Sequence, residues 1–225
     1  MIGQYCERTT AGFWAEPANL LSNLAFAAAA WGLWRLRRGT PDAATRAGWF
    51  SGMAFAIAIA SGLNHSVATP VARALDEGSI VLFQISALWR YARGVLRWRP
   101  SISALSVIAL IGSSVAARIL TTSFNGSVPY LPALLATFAL GIDHRRAGRR
   151  GPWRVLAGSG FIAIGLLFRT IDKVVCGSFP TGTHFLWHIL AASVVYQFGR
   201  AVIENDVGAA QVRSVFTRRD NDLSK

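Results

Sequence analysis

Long blocks of apolar residues alternate with short polar stretches along almost the whole chain, which predicts a series of membrane-spanning helices. A helix rises about 1.5 Å per residue, so a block of about 20 residues crosses most of a hydrocarbon layer about 30 Å thick. A helix is the expected state because lipid offers no partner for an unpaired backbone group. The seven predicted spans are 18–36, 46–65, 77–97, 102–121, 128–143, 153–172 and 183–203.

These spans predict an all-α fold, a seven-transmembrane-helix bundle. The length of 225 residues leaves no room for a second domain. We expect a single membrane domain over 1–204, with an external N-terminal segment over 1–17, followed by a polar cytoplasmic tail over 205–225. Only 15% of the residues are charged, against about a quarter in soluble domains, which argues against a soluble globular enzyme.

The basic residues are clustered, and the clusters predict the orientation of the chain. Eighteen of the 23 Lys and Arg residues lie at or after the ends of the first, third, fifth and last spans, and five lie on the other side. The positive-inside rule then puts the C-terminus in the cytoplasm and the N-terminus outside. The Arg-rich, Ala-rich composition looks bacterial, so we expect a multi-pass protein of a bacterial inner membrane. No signal peptide is expected, because the first 17 residues lack a basic start followed by an apolar core.

The formal net charge of +12 raises the question of a nucleic-acid partner. A nucleic-acid-binding protein spreads its basic residues over one folded face, whereas these lie in separate loops. We therefore expect the lipid bilayer and a lipid substrate as partners, with no nucleic acid and no obligate protein partner.

Ionisable residues near one end of the predicted spans are the candidates for chemistry, because such groups are costly at membrane depth. His184 and His188 are four residues apart, so both rings lie on one face of a helix and can bind one metal ion. His65 supplies a third nitrogen from another helix. Ser61 lies one turn before His65, and Asp76 opens the next span at a similar depth. Three histidines with an open position are typical of catalytic zinc, and this face is predicted to be external.

Other polar residues near the spans receive structural interpretations. Asp172 and Arg169 are three residues apart on one helix and are interpreted as an ion pair. His144 lies in the sequence DHRR on the basic side and is expected to be a solvated loop residue.

The external N-terminal segment offers a second group of ligands. Glu7 and Glu16 are hard oxygen donors that suit Ca²⁺, although two carboxylates are equally typical of a solvated acidic segment. Cys6 and Cys176 are both predicted to lie outside, where an oxidising compartment permits either one bridge or two free thiols.

At the level of motifs, the chain resembles the alkaline ceramidases, within a superfamily of seven-helix membrane hydrolases that also includes relatives of the adiponectin receptors. The motifs follow the family's order from residue 5 to residue 190. They are YCE at Tyr5–Glu7, AEPANLLSNLAF at Ala15–Phe26, S-x₃-H at Ser61–His65, Asp76, TIDKVVC at Thr170–Cys176 and HFLWHIL at His184–Leu190.

The resemblance implies hydrolysis of the amide bond of a ceramide-like lipid to a sphingoid base and a fatty acid. It implies zinc bound by His65, His184 and His188, with Ser61 stabilising the oxyanion and Asp76 handling protons.

The resemblance also implies a calcium site and a disulfide bond in the external segment. The calcium ligands would be Tyr5 through its carbonyl, Glu7 and Glu16, and the bridge would join Cys6 to Cys176. Gln4 stands where the family has Asp, and Thr9 where it often has Asn.

Two alternatives stay open from the sequence. One is a seven-helix receptor or signalling protein with a structural zinc ion, which would be closed by a fourth protein ligand. The other is a hydrolase of another N-acyl lipid, because many bacteria lack ceramide.

Overall fold

The computed structural model describes residues 3–37, 41–121 and 124–205, and within them the chain is helical with no strand. This confirms the predicted all-α class, and a helix overlaps each predicted span, although the bounds differ. The predicted tail lies outside the described residues from 206 onward. The helices are α1 (Pro17–Ser22), α2 (Leu24–Trp34), α3 (Pro41–Val67), α4 (Pro70–Arg90), α5 (Pro100–Leu120), α6 (Leu131–Arg146), α7 (Arg154–Ile171) and α8 (His184–Asn205).

Four of these helices, α3, α5, α7 and α8, are long and apolar enough to cross a membrane. The outer surface of α5 exposes large apolar side chains, among them Leu105, Ile108, Ile119 and Leu120. Continuous exposure of this kind is unfavourable in water and normal against lipid. The structure therefore has the features of a helical membrane protein, while the number of seven spans stays a prediction.

The third predicted span is displaced from the helix that the structure contains. The sequence predicts a span over 77–97, but α4 begins at Pro70, where the Thr69 hydroxyl accepts a hydrogen bond from the Ala72 amide at 3.1 Å. Proline at the first helical position and threonine as the N-cap are both favourable. The first turns of α4 contain polar residues and so gave no apolar signal. A π-helical turn, Tyr91–Val95, then continues the helix.

The main apolar core lies among α2, α3, α4 and α8. Its fully buried side chains include Leu33 of α2, Phe50 and Ile57 of α3, and Val202 of α8. α7 packs along α8 and also along α6. This arrangement brings the C-terminal end of α3 beside the first turn of α8.

His144 does not lie in a solvated loop, so that expectation is wrong. It belongs to the last turn of α6 and is fully buried. Its Nδ1 atom lies 2.8 Å from the Tyr91 hydroxyl, and its Nε2 atom lies 3.2 Å from the Arg150 carbonyl oxygen. The adjacent arginines concealed this role in the sequence, because a basic stretch is usually exposed.

We expect Gly141→Ala to destabilise the protein, because a Cβ atom at this position would lie 2.7 Å from the Leu156 Cα atom of α7. Overpacking costs about 1–3 kcal/mol and should lower the midpoint of thermal unfolding in detergent. Gly112→Ala in α5 is the matched control, because a Cβ atom there meets nothing within 4 Å. An unchanged midpoint for Gly141→Ala would contradict the close packing of α6 against α7.

Candidate metal centre

Three histidines from two helices meet in the interior at one end of the bundle. His65 lies in the last turn of α3, His184 begins α8, and His188 follows one turn later. Each residue is at most 3% exposed, and one ring nitrogen from each lies within 4.8 Å of the others. The predicted convergence of the three imidazoles is therefore present, and zinc as their ligand stays a prediction.

Two of the rings are held by hydrogen bonds through their Nδ1 atoms. His65 Nδ1 donates to Glu16 Oε2 at 2.5 Å, and His188 Nδ1 donates to the Asn19 carbonyl oxygen at 3.1 Å. The Ser22 hydroxyl also lies 2.7 Å from His188 Nδ1. Metal-binding histidines typically donate their second ring N–H to a carboxylate or a backbone carbonyl in this way.

The other ring nitrogens of the histidine cluster indicate whether a cation fits. His65 Nε2 and His184 Nδ1 are buried and have no hydrogen-bond partner. Burying a polar group without a partner is costly. A metal ion bound by these nitrogens would remove that cost, so the residues present fit a zinc ion.

Ser61 and Asp76 line a small cleft together with two of the histidines, His184 and His188. The cleft has a volume of about 10 Å³, which is enough for one water molecule. Asn64 Nδ2 donates to Asp76 Oδ2 at 3.0 Å, whereas the other carboxylate oxygen, Oδ1, is buried without a hydrogen-bond partner. The two residues predicted to act beside the metal therefore reach the same space.

Glu16 has a role that its sequence position did not indicate. It is 1% exposed and accepts hydrogen bonds from His65, from Asn19 Nδ2 at 2.9 Å and from the Arg8 guanidinium. Burial raises the pKa of Glu16, but the hydrogen bonds from His65 and Arg8 outweigh it and hold the pKa below its usual value. Glu16 is therefore ionised and orients a candidate metal ligand.

Arg8 is a functional candidate that sequence reasoning missed. Its guanidinium is buried, binds Glu16, and donates to the carbonyl oxygens of His65 at 2.7 Å and Ser66 at 3.3 Å. It thereby fixes the end of α3. The only signal in the sequence was a single basic residue in an otherwise weakly acidic external segment.

The calcium ligands implied by the resemblance are already engaged in hydrogen bonds within the protein, which argues against a calcium ion at this place. Both carboxylate oxygens of Glu7 accept backbone hydrogen bonds at the start of α1, from Ala18 at 2.6 Å and Asn19 at 2.9 Å. Burial raises the pKa of Glu7, and these two donors act against that shift. Both oxygens of Glu16 are engaged as well, and the Tyr5 carbonyl oxygen accepts from the Arg8 amide at 3.3 Å.

Cys6 and Cys176 form a disulfide bond, with their Cα atoms 5.3 Å apart. The bond connects the N-terminal segment to the turns between α7 and α8. Of the two options that the sequence left open, the structure therefore contains the bridge.

Asp172 fixes the start of α8 and does not form the expected ion pair with Arg169. Its Oδ1 atom accepts from the amides of Thr183 at 2.7 Å and His184 at 2.9 Å, and its Oδ2 atom accepts from the Cys6 amide at 3.2 Å. A carboxylate satisfies the free N–H groups at a helix start better than water does, which explains why this contact prevails.

The cleft lies between two larger cavities. An apolar cavity of about 100 Å³ extends into the bundle, and Phe26, Phe83 and Ile162 are among its walls. An outer cavity of about 750 Å³ lies beside α4, α5 and the end of α7. The side chain of Tyr130 borders the cleft and both cavities.

The fold and the site define a class: a helical protein of membrane type with a candidate three-histidine metal centre. No family model, no curated protein and no solved structure matches the chain.

We expect the purified protein to bind about one equivalent of zinc, because three histidines are the usual protein ligands of an open zinc site. His188→Ala should abolish stoichiometric binding, as measured by metal analysis after dialysis. His144→Asn is the matched control, because His144 is also buried but lies apart from the cluster. Equal zinc content in wild type and His188→Ala would contradict the centre.

We also expect the stability of the protein to depend on Arg8 and not on calcium. Arg8→Met leaves the Glu16 carboxylate buried without its cation, and breaking such a pair costs about 3–5 kcal/mol. Thermal unfolding in detergent should show a large decrease for this variant and none for Arg146→Met, which removes an exposed arginine. A calcium chelator should leave the wild-type midpoint unchanged, whereas stabilisation by millimolar calcium would contradict the expectation that Glu7 and Glu16 bind no calcium.

Proposed function

We propose that this protein is a zinc-dependent membrane amidase of the alkaline ceramidase type, which hydrolyses the amide bond of ceramide or a ceramide-like N-acyl lipid. The observation that carries the proposal is the cluster of His65, His184 and His188 beside a cleft that Ser61 and Asp76 also line. The motifs shared with the alkaline ceramidases support the substrate class.

The number of metal ligands supports an enzyme over a receptor with structural zinc. A structural zinc site is normally closed by four protein ligands. Among the residues that the structure describes, the group contains His65, His184 and His188 and no fourth His, Cys, Asp or Glu. The cleft beside it supplies room for water, which a hydrolase requires.

The reaction breaks the C–N bond of the amide and forms a C–O bond from water, giving a fatty acid and an amine. His65, His184 and His188 would hold the zinc ion, which when bound polarises a carbonyl group and activates water at neutral pH. The Ser61 hydroxyl donates a hydrogen bond to the oxygen that becomes negative as the carbonyl carbon is attacked.

Asp76 has the geometry of a residue that moves protons. Its Oδ2 atom is oriented by Asn64, while Oδ1 has no partner among the described residues. In the proposed reaction Asp76 accepts a proton from the attacking water and returns it to the nitrogen of the departing amine. Proton transfer by a positioned side chain contributes about 10²–10⁴-fold to rate.

The orientation in the membrane is part of the proposal: seven spans, the N-terminus outside, the C-terminus cytoplasmic and the active site at the periplasmic face of a bacterial inner membrane. α8 supports it, because it carries His184 and His188 in its first two turns and pairs Glu204 with Arg154 in its last. Its 22 residues extend about 33 Å at about 1.5 Å per residue, similar to the thickness of a hydrocarbon layer.

Aromatic residues near the basic clusters support the same orientation. The Arg37 guanidinium lies 3.9 Å from the ring centre of Trp34, and that of Arg145 lies 3.7 Å from the ring centre of Trp153. Trp34 and Trp153 are both exposed. Exposed tryptophans beside arginine are typical of a membrane interface.

We expect Ser61→Ala to lower kcat/KM for N-lauroylsphingosine by about 10²–10³-fold, because it removes a donor to the oxyanion. Asp76→Asn should lower it by about 10²–10⁴-fold, because it removes the group that transfers protons. Both variants should retain zinc, because neither residue belongs to the histidine cluster. Product release is followed by mass spectrometry. Ser159→Ala is the matched control, because Ser159 is a buried serine of α7 whose hydroxyl bonds only its own helix, to the Leu156 carbonyl oxygen at 2.7 Å.

Removal of the metal tests whether the proposed amide hydrolysis depends on zinc. Dialysis against a zinc chelator and the variant His188→Ala should each abolish amide hydrolysis while the protein remains folded. Amidase activity that survives both treatments would rule the mechanism out.

A further inference from the structure

The outer cavity carries an excess of positive charge. One acidic residue, Glu77, is part of its wall, together with four basic residues: Arg73, Arg118, Arg169 and Lys173. Glu77 accepts from Arg73 at 2.9 Å and from Arg118 at 2.7 Å, so a single carboxylate serves two guanidinium groups. The charges of Arg169 and Lys173 are not offset by another acidic residue of this cavity.

Arg169 is the most informative of these residues because it is buried. It is 9% exposed and its Nε atom has no hydrogen-bond partner. The Tyr5 side chain contacts its guanidinium, and the Asp76 carboxylate in the same cleft attracts it without forming an ion pair. The ring centres of Tyr130 and Trp187 lie 5.3 Å and 5.8 Å from its guanidinium carbon. A buried charge is unfavourable unless an opposite charge pairs with it.

Arg169 also lies at the junction that a substrate has to occupy. It borders both the outer cavity and the cleft that contains His184, His188 and Asp76. An anion bound at Arg169 from the outer cavity would therefore lie next to the amide that is being cleaved. Guanidinium groups bind carboxylate, phosphate and sulfonate oxygens in a bidentate manner.

The apolar cavity indicates which half of the substrate carries the anionic group. The apolar cavity begins at the same cleft, where Tyr130 and Trp187 are shared walls, and it continues among apolar side chains. A cavity of about 100 Å³ has room for the first carbons of an acyl chain, and its apolar walls exclude an ionised group. The amine-derived half of the lipid is therefore left for the outer cavity.

We propose that the outer cavity is an anion subsite, which selects N-acyl lipids whose amine-derived half carries a carboxylate, phosphate or sulfonate close to the amide. The inference rests on the proposed amidase function and narrows its substrate class to N-acyl lipids with an ionised amine-derived half, in preference to neutral ceramide. Arg169 binds the anionic group, and Lys173 and the Arg73–Glu77–Arg118 network hold the positive potential around it.

The test uses two probes of equal chain length, N-lauroylglycine and N-lauroylethanolamine, which differ in whether the amine half is ionised. Wild-type protein in nanodiscs of zwitterionic phosphatidylcholine should cleave N-lauroylglycine with a kcat/KM about 10–100-fold higher, as expected for a hydrogen bond between charged groups. Arg169→Gln should bring the two values within about threefold of each other, mainly through a higher KM for N-lauroylglycine.

Matched variants separate the subsite from a general loss of charge or of folding. Arg146→Gln, which removes an exposed arginine from the end of α6, should leave both substrates unaffected. Arg169→Lys should retain part of the preference. Lys173→Gln, at the exposed side of the cavity, should reduce the preference, and this variant replaces Arg169→Gln in the test if Arg169→Gln does not fold. Equal kcat/KM values for the two probes in the wild type would overturn the subsite and leave the amidase proposal intact.

A binding measurement distinguishes the failure of this inference from the failure of the proposed function. Calorimetric titration of the His188→Ala variant with each probe requires no turnover. Tighter binding of N-lauroylglycine that is lost on adding Arg169→Gln supports the subsite even if neither amide is ever cleaved. Equal affinities for both probes would overturn the subsite whatever the activity.

Discussion

The carboxylate of Glu16 lies between the guanidinium of Arg8 and the ring of His65, in a place that water does not reach. A buried carboxylate is tolerable only when charged or polar partners surround it, and here they come from the external segment, from α1 and from α3. The same contact gives His65 a defined tautomer and a defined ring orientation. The geometry of the histidine cluster therefore depends on a segment that precedes every long helix.

The sequence was sufficient for the fold class and for the histidine cluster, for a simple reason. Apolar blocks and an i, i+4 pair of histidines are local patterns, and they limit strongly what a helix can present on one face. His65 belongs to the predicted cluster because its expected depth in the membrane matches that of His184 and His188, and the structure brings the three together. The start of α4 was misplaced because Arg73 and Asp76 face an interior cleft and so resemble a loop in sequence.

The sequence did not predict two kinds of contact. Some join residues that are distant along the chain, and in others a residue has a different role from the one that its sequence neighbours suggest. In the sequence, Arg8 is only a charged residue of the external segment, yet in the structure it is buried against Glu16 and the end of α3. Asp172 has a nearby arginine on its own helix, but it bonds to the amides at the start of α8. Hydrophobic periodicity carries no information about which backbone groups lack partners, so these choices appear only in three dimensions.

The disulfide between Cys6 and Cys176 has a consequence for the order in which the protein matures. The two half-cystines are separated by 170 positions, so the bond forms only after residue 176 has been synthesised. His184 and His188 are synthesised later still. In the proposed metal centre, the three histidines can share an ion only after His188 has been synthesised, so metal binding would follow the synthesis of nearly all the helices described above.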